Sequence, residues 1–191
     1  MNKKSLIAGI ALALVSIIAV VAAALFLTSS GTSNEQSAEA SQQAAPVPQR
    51  PDCPSHGIGG IDLECLGGNA GQRPQNEGVV IANVWAWWCG PCREELPLLE
   101  QYSQAHPEHQ VVGVHADKAA GNGAAFLNDL GVGLPSYQDN DNRFAGSLGL
   151  PSVVPITVVF VDGEPVARIP VAFESVEQIE SKVAEALAGR S

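Results

Sequence analysis

Two thiols with only Gly90 and Pro91 between them, Cys89-Gly90-Pro91-Cys92, are the part of this 191-residue chain best equipped for chemistry. Cysteines three positions apart can close a small disulfide ring, so the pair can be oxidised and reduced as a unit. Pro91 suits the first turn of a helix, where its missing N–H costs nothing. Cys89 then falls at or just before a helix N-terminus. Free N–H groups and the helix dipole favour a thiolate there. The chemistry implied is thiol–disulfide exchange, with Cys89 attacking a partner disulfide and Cys92 resolving the mixed disulfide. A bare Cys-x-x-Cys is a weak signal, since zinc sites use it too.

The elements that must position the pair can be read around it. Val79-Val80-Ile81-Ala82-Asn83-Val84-Trp85 is a nearly continuous apolar run preceded by Gly78, the pattern of a central strand covered on both faces. Residues 92–105 read as a helix with Leu96, Leu98, Leu99 and Tyr102 as its apolar positions. Pro97 should kink it and His106-Pro107 should stop it. A buried strand follows over 111–116, then a Gly/Asp/Asn loop over 117–122 and a short helix over 124–130 ended by Gly131. Residues 135–137 are a short extended piece, and 143–148 a short helix ended by Gly149. Residues 153–161 form a third buried strand, Asp162-Gly163 a hairpin turn, and 164–169 an edge strand. Ser175 caps a last helix over 176–188 whose apolar positions include Ile179, Val183, Ala186 and Leu187. The expected order is β-α-β-α-β-β-α.

Two further cysteines, Cys53 and Cys65, precede this core. Ile61, Leu63 and Cys65 alternate with Asp62 and Glu64, as in a short half-buried strand, and the glycines before it read as the turn of an N-terminal hairpin. In an oxidising compartment the simplest arrangement is a structural Cys53–Cys65 disulfide. A second redox pair, or a zinc site that includes His56, is the alternative. The four histidines show no metal-ligand spacing. His106 and His109 flank a helix end and read as solvated, and His115 ends a strand, so no metal and no cofactor is expected.

Trp88-Cys89-Gly90-Pro91-Cys92 is identical to the active-site motif of thioredoxins, and the segments 83–86 and 93–97 resemble the extracytoplasmic, membrane-anchored TlpA/ResA/CcmG group of thiol-disulfide oxidoreductases. The resemblance covers most of residues 78–187. It implies a thioredoxin-like α/β fold, a central mixed sheet flanked by helices. It also implies a cis-proline facing the cysteine pair. Pro155, at an odd place for a proline in a central strand and followed by Thr157, fits that role, while Pro151 reads as a trans loop proline. Pro155 and the Val154 backbone would form a ledge on which a partner chain docks, with Trp88, Gly90 and Pro91 completing the partner surface. Trp85 belongs to the core, and Trp87 suits either place. Where cytosolic thioredoxins bury an Asp, this chain has Asn83. The anchored group carries Glu at the position of Glu95, which implies general-base help for Cys92. The implied activity is disulfide exchange with exported proteins, including reduction of apocytochrome c thiols. An oxidase or isomerase role stays open, as do a thiol peroxidase and a non-catalytic binding domain. A membrane protein that donates or accepts electrons is the implied redox partner.

Lys3-Lys4 precede an apolar run over 6–27, just over the roughly 20 residues that span a bilayer as a helix. Positive charge before it places the N-terminus in the cytoplasm and the remainder outside. The expected organisation is an anchor (1–27), a flexible tether rich in Ser, Gln, Ala and Pro (28–50) and a thioredoxin-like domain (51–191). A cleaved signal peptide is the alternative. The formal charge of −10 makes nucleic acid an unsuitable partner.

Overall fold

A computed structural model describes residues 46–75 and 77–189. The expected anchor and most of the tether lie outside the described residues. Among the described residues no helix is long and apolar enough to cross a membrane.

A six-stranded sheet organises the domain. Its central strand, β4 (Val79–Trp85), runs parallel to β5 (Gln110–His115) and antiparallel to β7 (Ile156–Val161). Beyond β5 lie the parallel β6 (Ser136–Gln138) and the antiparallel β3 (Glu64–Cys65). Beyond β7 lies the edge strand β8 (Glu164–Ile169), giving the order β3-β6-β5-β4-β7-β8. Among the described residues four helices connect and cover the sheet: α1 (Gly90–Ala105), α2 (Ala120–Asp129), α3 (Arg143–Leu148) and α4 (Val176–Ala188). A separate hairpin pairs β1 (Gly57–Ile58) with β2 (Ile61–Asp62).

The apolar run of β4 buries both faces because side chains alternate along a strand. Ile81 and Trp85 join Leu96, Leu99, Tyr102, Phe126, Ile179 and Val183 in one core layer. Val80, Ala82 and Val84 join Val112, Val114, Tyr137, Phe144, Val158 and Phe160 in the other. At the β7–β8 turn, Asp162 and Gly163 both have positive φ (50° and 85°), the backbone that favours Asp-Gly in tight hairpins.

Several boundaries differ from those read in the sequence. The single strand expected over 61–65 is split at Leu63, whose N–H donates to His56 O at 2.9 Å. Burial still alternates there, but β2 pairs back on the hairpin while β3 joins the main sheet. Alternation reports the faces of a strand and says nothing about its partner. Helix α1 begins at Gly90 and runs continuously through Pro97. Helix α2 begins at Ala120, so half of the expected 117–122 loop is helical. Gly121 and Gly123 are poor helix formers, but tertiary packing overrides propensity here. A Cβ on Gly123 would sit 2.6–2.8 Å from the buried His115 ring, so only glycine allows this helix to pack on β5. β7 begins after Pro155, which has no N–H to give the ladder.

The last residue of the segment expected to be a tether is packed against the domain. Arg50 is 7% exposed, and its guanidinium donates to Asn128 Oδ1 (2.7 Å), Val132 O (2.6 Å) and Leu134 O (3.1 Å). Just after it, Cys53 and Cys65 form a disulfide with a Cα–Cα separation of 5.6 Å. The bond pins the first segment of the domain to edge strand β3. Closing a loop of this length contributes about 3 kcal/mol in the chain-entropy account. Replacing both Cys53 and Cys65 with Ala should therefore lower the urea-unfolding free energy by about 3 kcal/mol while leaving the Cys89–Cys92 couple titratable. An unchanged unfolding midpoint would show that the Arg50 contacts alone hold this segment.

Candidate active site

Cys89 is the N-cap of α1, with extended φ and ψ of −83° and 113°. Its Sγ accepts a hydrogen bond from the Cys92 N–H at 3.1 Å, so sulfur takes the place of the usual capping oxygen. The two sulfurs are bonded to each other, with the Cα atoms 5.3 Å apart. Exposure separates the pair. Cys89 keeps 5% of its surface and lines a shallow groove with Trp87, Trp88, Arg93 and Phe126. Cys92 is fully enclosed. An incoming thiolate can therefore reach Cys89 and not Cys92.

The indoles beside the pair are held from the next strand. Trp88 is 58% exposed, and its Nε1 donates to Asp117 Oδ2 at 3.0 Å. Asp117 also accepts from the Ala119 N–H at 2.7 Å. Partial burial works against its charge, but hydrogen bonds from Ala119 and from both Trp88 and Trp87 outweigh this and hold its carboxyl below the usual range. Asp117 was missed at the sequence level. It follows β5, and because β5 runs parallel to β4 with Trp85 opposite His115, the loops after both strands emerge at one sheet end. That rule of parallel sheets was the available signal. Trp85 is wholly buried, stacked on Phe126 with ring centroids 5.7 Å apart. Arg93 lies over the same Phe126, 4.5 Å from its centroid.

The Val154–Pro155 peptide bond is cis. The antiparallel register sets Val84 opposite Ile156, so Pro155 stands where β4 hands over to the Cys89 turn. Val153 is 55% exposed and Val154 half-buried. Together with Trp88, Val84, Pro151 and Ile156 they line a second, apolar groove.

Beneath the pair lies a buried carboxyl. Glu95 is one turn after Cys92 on the core face of α1 and is 0% exposed. Its Oε2 accepts from the Phe173 N–H at 2.8 Å, and its Oε1 accepts a short hydrogen bond from Asn83 Nδ2. The same Asn83 amide donates to Thr157 Oγ1 at 3.1 Å across the β4–β7 pair. Burial pushes the Glu95 carboxyl up to about 7, although the bonds from Phe173 and Asn83 pull the other way. The Phe173 contact crosses 78 residues of sequence, which no local pattern announces.

The profile of the AhpC/TSA family matches residues 61–167. A protein named thioredoxin from Alicyclobacillus acidocaldarius is 30% identical over 119 residues, covering 62% of this chain and 91% of that protein. A thiol-disulfide oxidoreductase ResA from Bacillus thuringiensis is 25% identical over 103 residues, covering 53% of this chain and 59% of its own length. Among solved structures, a secreted thiol-disulfide isomerase from Corynebacterium glutamicum superposes with a TM-score of 0.53. It is 27% identical and covers 63% of this chain and 81% of that one.

A carboxyl at about 7 in the folded state and 4.5 in an open chain has a definite linkage. Between those values the folded protein holds a proton that the unfolded chain has released. Stability is therefore greatest below about pH 4.5 for this group and falls as pH rises through 7. At roughly 1.4 kcal/mol per pH unit the loss is on the order of 3 kcal/mol. Urea unfolding from pH 5 to 8 should show this decline, and Glu95→Gln should flatten it. A variant with the same slope as the parent would assign the decline to another group.

Proposed function

The chain belongs to the AhpC/TSA family and is a thioredoxin-like thiol-disulfide oxidoreductase, and from that premise we propose that it exchanges disulfides with exported proteins through Cys89. The observation that carries this reading is the asymmetry of the bonded pair: Cys89 opens on a groove and Cys92 is enclosed. In the reducing direction the Cys89 thiolate attacks a partner disulfide, joins one partner sulfur and expels the other as a thiolate. Cys92 then gives up its proton and attacks Cys89 Sγ, which releases the second partner sulfur and leaves Cys89–Cys92 oxidised. Two electrons pass to the partner. Glu95 is the proton acceptor in this reading, because a carboxyl poised near 7 can take a thiol proton and return it. The opposite direction donates the disulfide.

The partner surface in this account is Trp88, Gly90 and Pro91 on one side and Val154-Pro155 on the other. The Val154 backbone, just before β7, is in this reading the ledge for strand-like hydrogen bonds with an extended peptide. The apolar groove lined by Val84, Val153 and Ile156 supports binding of an unfolded or loop segment with apolar side chains.

The apolar run over 6–27 behind Lys3-Lys4 supports a single-pass anchor that leaves the domain outside the cytoplasm. The Cys53–Cys65 bond fits an oxidising compartment. A membrane protein that supplies or removes electrons completes the cycle. The Gly90-Pro91 spacer matches thioredoxin, whose couple lies near about −270 mV, and favours a reducing role, with apocytochrome c thiols among the candidate substrates. A thiol peroxidase is disfavoured by the same site. Both cysteines are committed to each other, Thr157 is enclosed and bonded to Asn83, and Arg93 rests on Phe126.

Insulin reduction with dithiothreitol as donor is the direct test. Cys89→Ser should lose essentially all acceleration. Cys92→Ser should accumulate a mixed disulfide with the partner, visible on a non-reducing gel. A Cys89→Ser variant that keeps its rate would end the proposal. Titrating the couple against dithiothreitol separates the roles: a potential near about −270 mV marks a reductant and one near about −120 mV an oxidant.

A further inference from the structure

The C-terminal end of α1 carries a side-chain cluster that the thiol chemistry does not use. His106 is the C-cap of the helix, and its N–H donates to Tyr102 O at 2.9 Å. The His109 N–H returns to His106 O at 3.0 Å and closes a four-residue turn with Pro107 at its second position. The turn gathers His106, Glu108 and His109 so that one ligand atom from each lies within 4.8 Å of the others. From the sequence these histidines are expected to be solvated and without ligand spacing. The spacing fits no helical ligand pair, but the proline turn brings the three side chains together.

The partners of each ring settle which atoms are free. His106 turns Nδ1 toward Glu108 Oε1 at 3.1 Å and Nε2 toward Glu180 Oε1 of α4 at 3.2 Å. His109 holds Tyr102 Oη through Nδ1 at 2.7 Å, which leaves Nε2 open. Tyr102 is itself buried, so its hydroxyl is a fixed point. His109 therefore has one nitrogen fixed by a buried hydroxyl and the other open, while His106 is fixed through Nε2 by Glu180 and turns Nδ1 to Glu108, itself a member of the cluster. Histidines that bind metals are oriented in this way.

We propose that His106 Nδ1, Glu108 and His109 Nε2 form a binding site for a divalent transition-metal ion of the zinc type. Two imidazoles and a carboxylate are a donor set that zinc accepts, with solvent completing the tetrahedron. Bonds of about 2.0–2.2 Å require the ligand atoms to draw in to roughly 3.3 Å of one another. Rotation about the broad terminal torsions of the histidines supplies that movement cheaply. Glu108 and Glu180 together offset the charge of the ion. The site lies at the opposite end of α1 from Cys89, and through Glu180 it joins that helix to α4. Its role is to clamp the helix that carries the cysteine pair, and the ion takes no part in the exchange itself. An ion that binds only the folded chain raises its stability by mass action.

The test uses the full chain with Cys89–Cys92 oxidised, so that no free thiol competes for metal. After chelator treatment and dialysis, zinc chloride is titrated calorimetrically, with magnesium chloride as control. One zinc per chain is expected and no heat from magnesium. Glu108→Gln, at an exposed position, and His109→Ala should each weaken binding at least ~100-fold, and Tyr102→Phe by roughly 10-fold through loss of ring orientation. The thermal midpoint should rise with zinc in the parent and stay fixed in Glu108→Gln. Insulin reduction, followed before any zinc is added, should be equal in the parent and Glu108→Gln. Zinc affinity in Glu108→Gln and His109→Ala within threefold of the parent, or no zinc binding by the parent at all, overturns the proposal.

Discussion

One hydrogen bond ties the fold of this domain to its chemistry. The Cys92 N–H donates to Cys89 Sγ, so the residue that caps α1 also supplies one sulfur of the Cys89–Cys92 pair. A helix must satisfy its first N–H groups from outside itself, and Ser, Thr, Asp or Asn usually does so. Here a cysteine does. Whatever holds α1 against the sheet therefore holds the sulfur, and the exposure of Cys89 is set by where β4 ends. The enclosed strand, the tight turn through Ala86–Cys89 and the buried face of α1 all act on this junction.

The same junction accounts for the polar residues beneath it. Helix α1 presents Cys92, Glu95, Leu96 and Leu99 to one face of the sheet, and a carboxyl among them is costly to charge. The strands answer with the Asn83 amide, which also donates to Thr157 opposite it on β7, and the loop before α4 answers with the Phe173 N–H. These donors are enough to keep Glu95 bonded and too few to restore the acidity of a solvated carboxyl. The group is left near neutrality. Stability is given up at one buried position, one helical turn after Cys92.

The periphery holds this core by means with little surface to bury. Arg50 reaches three acceptors around the end of α2, and the Cys53–Cys65 bond fixes the segment that follows. A short strand such as β3, two residues long, could not hold the edge by ladder hydrogen bonds alone. On the other side of α1, the Pro107 turn and Glu180 connect the helix to α4.

Much of the fold and of the site could be read from local sequence, for a physical reason. β4, β7, β8, α1 and α4 show in the chain because burial on one or both faces imposes a period of 2 or 3.6, and Pro, Gly and Asp-Gly mark where each period stops. The cysteine pair shows because its chemistry needs a fixed short spacing at a helix start. The sequence did not contain the partner of each group. Nothing local assigns β3 to β6, starts α2 at Ala120, brings Phe173 to Glu95 across 78 residues, sets Asp117 under two indoles, or gathers His106, Glu108 and His109 at one turn. Periodicity records which side of an element faces away from water. Which atoms meet on that side is decided when the layers close, because contacts between distant segments exist only once the chain between them has been packed.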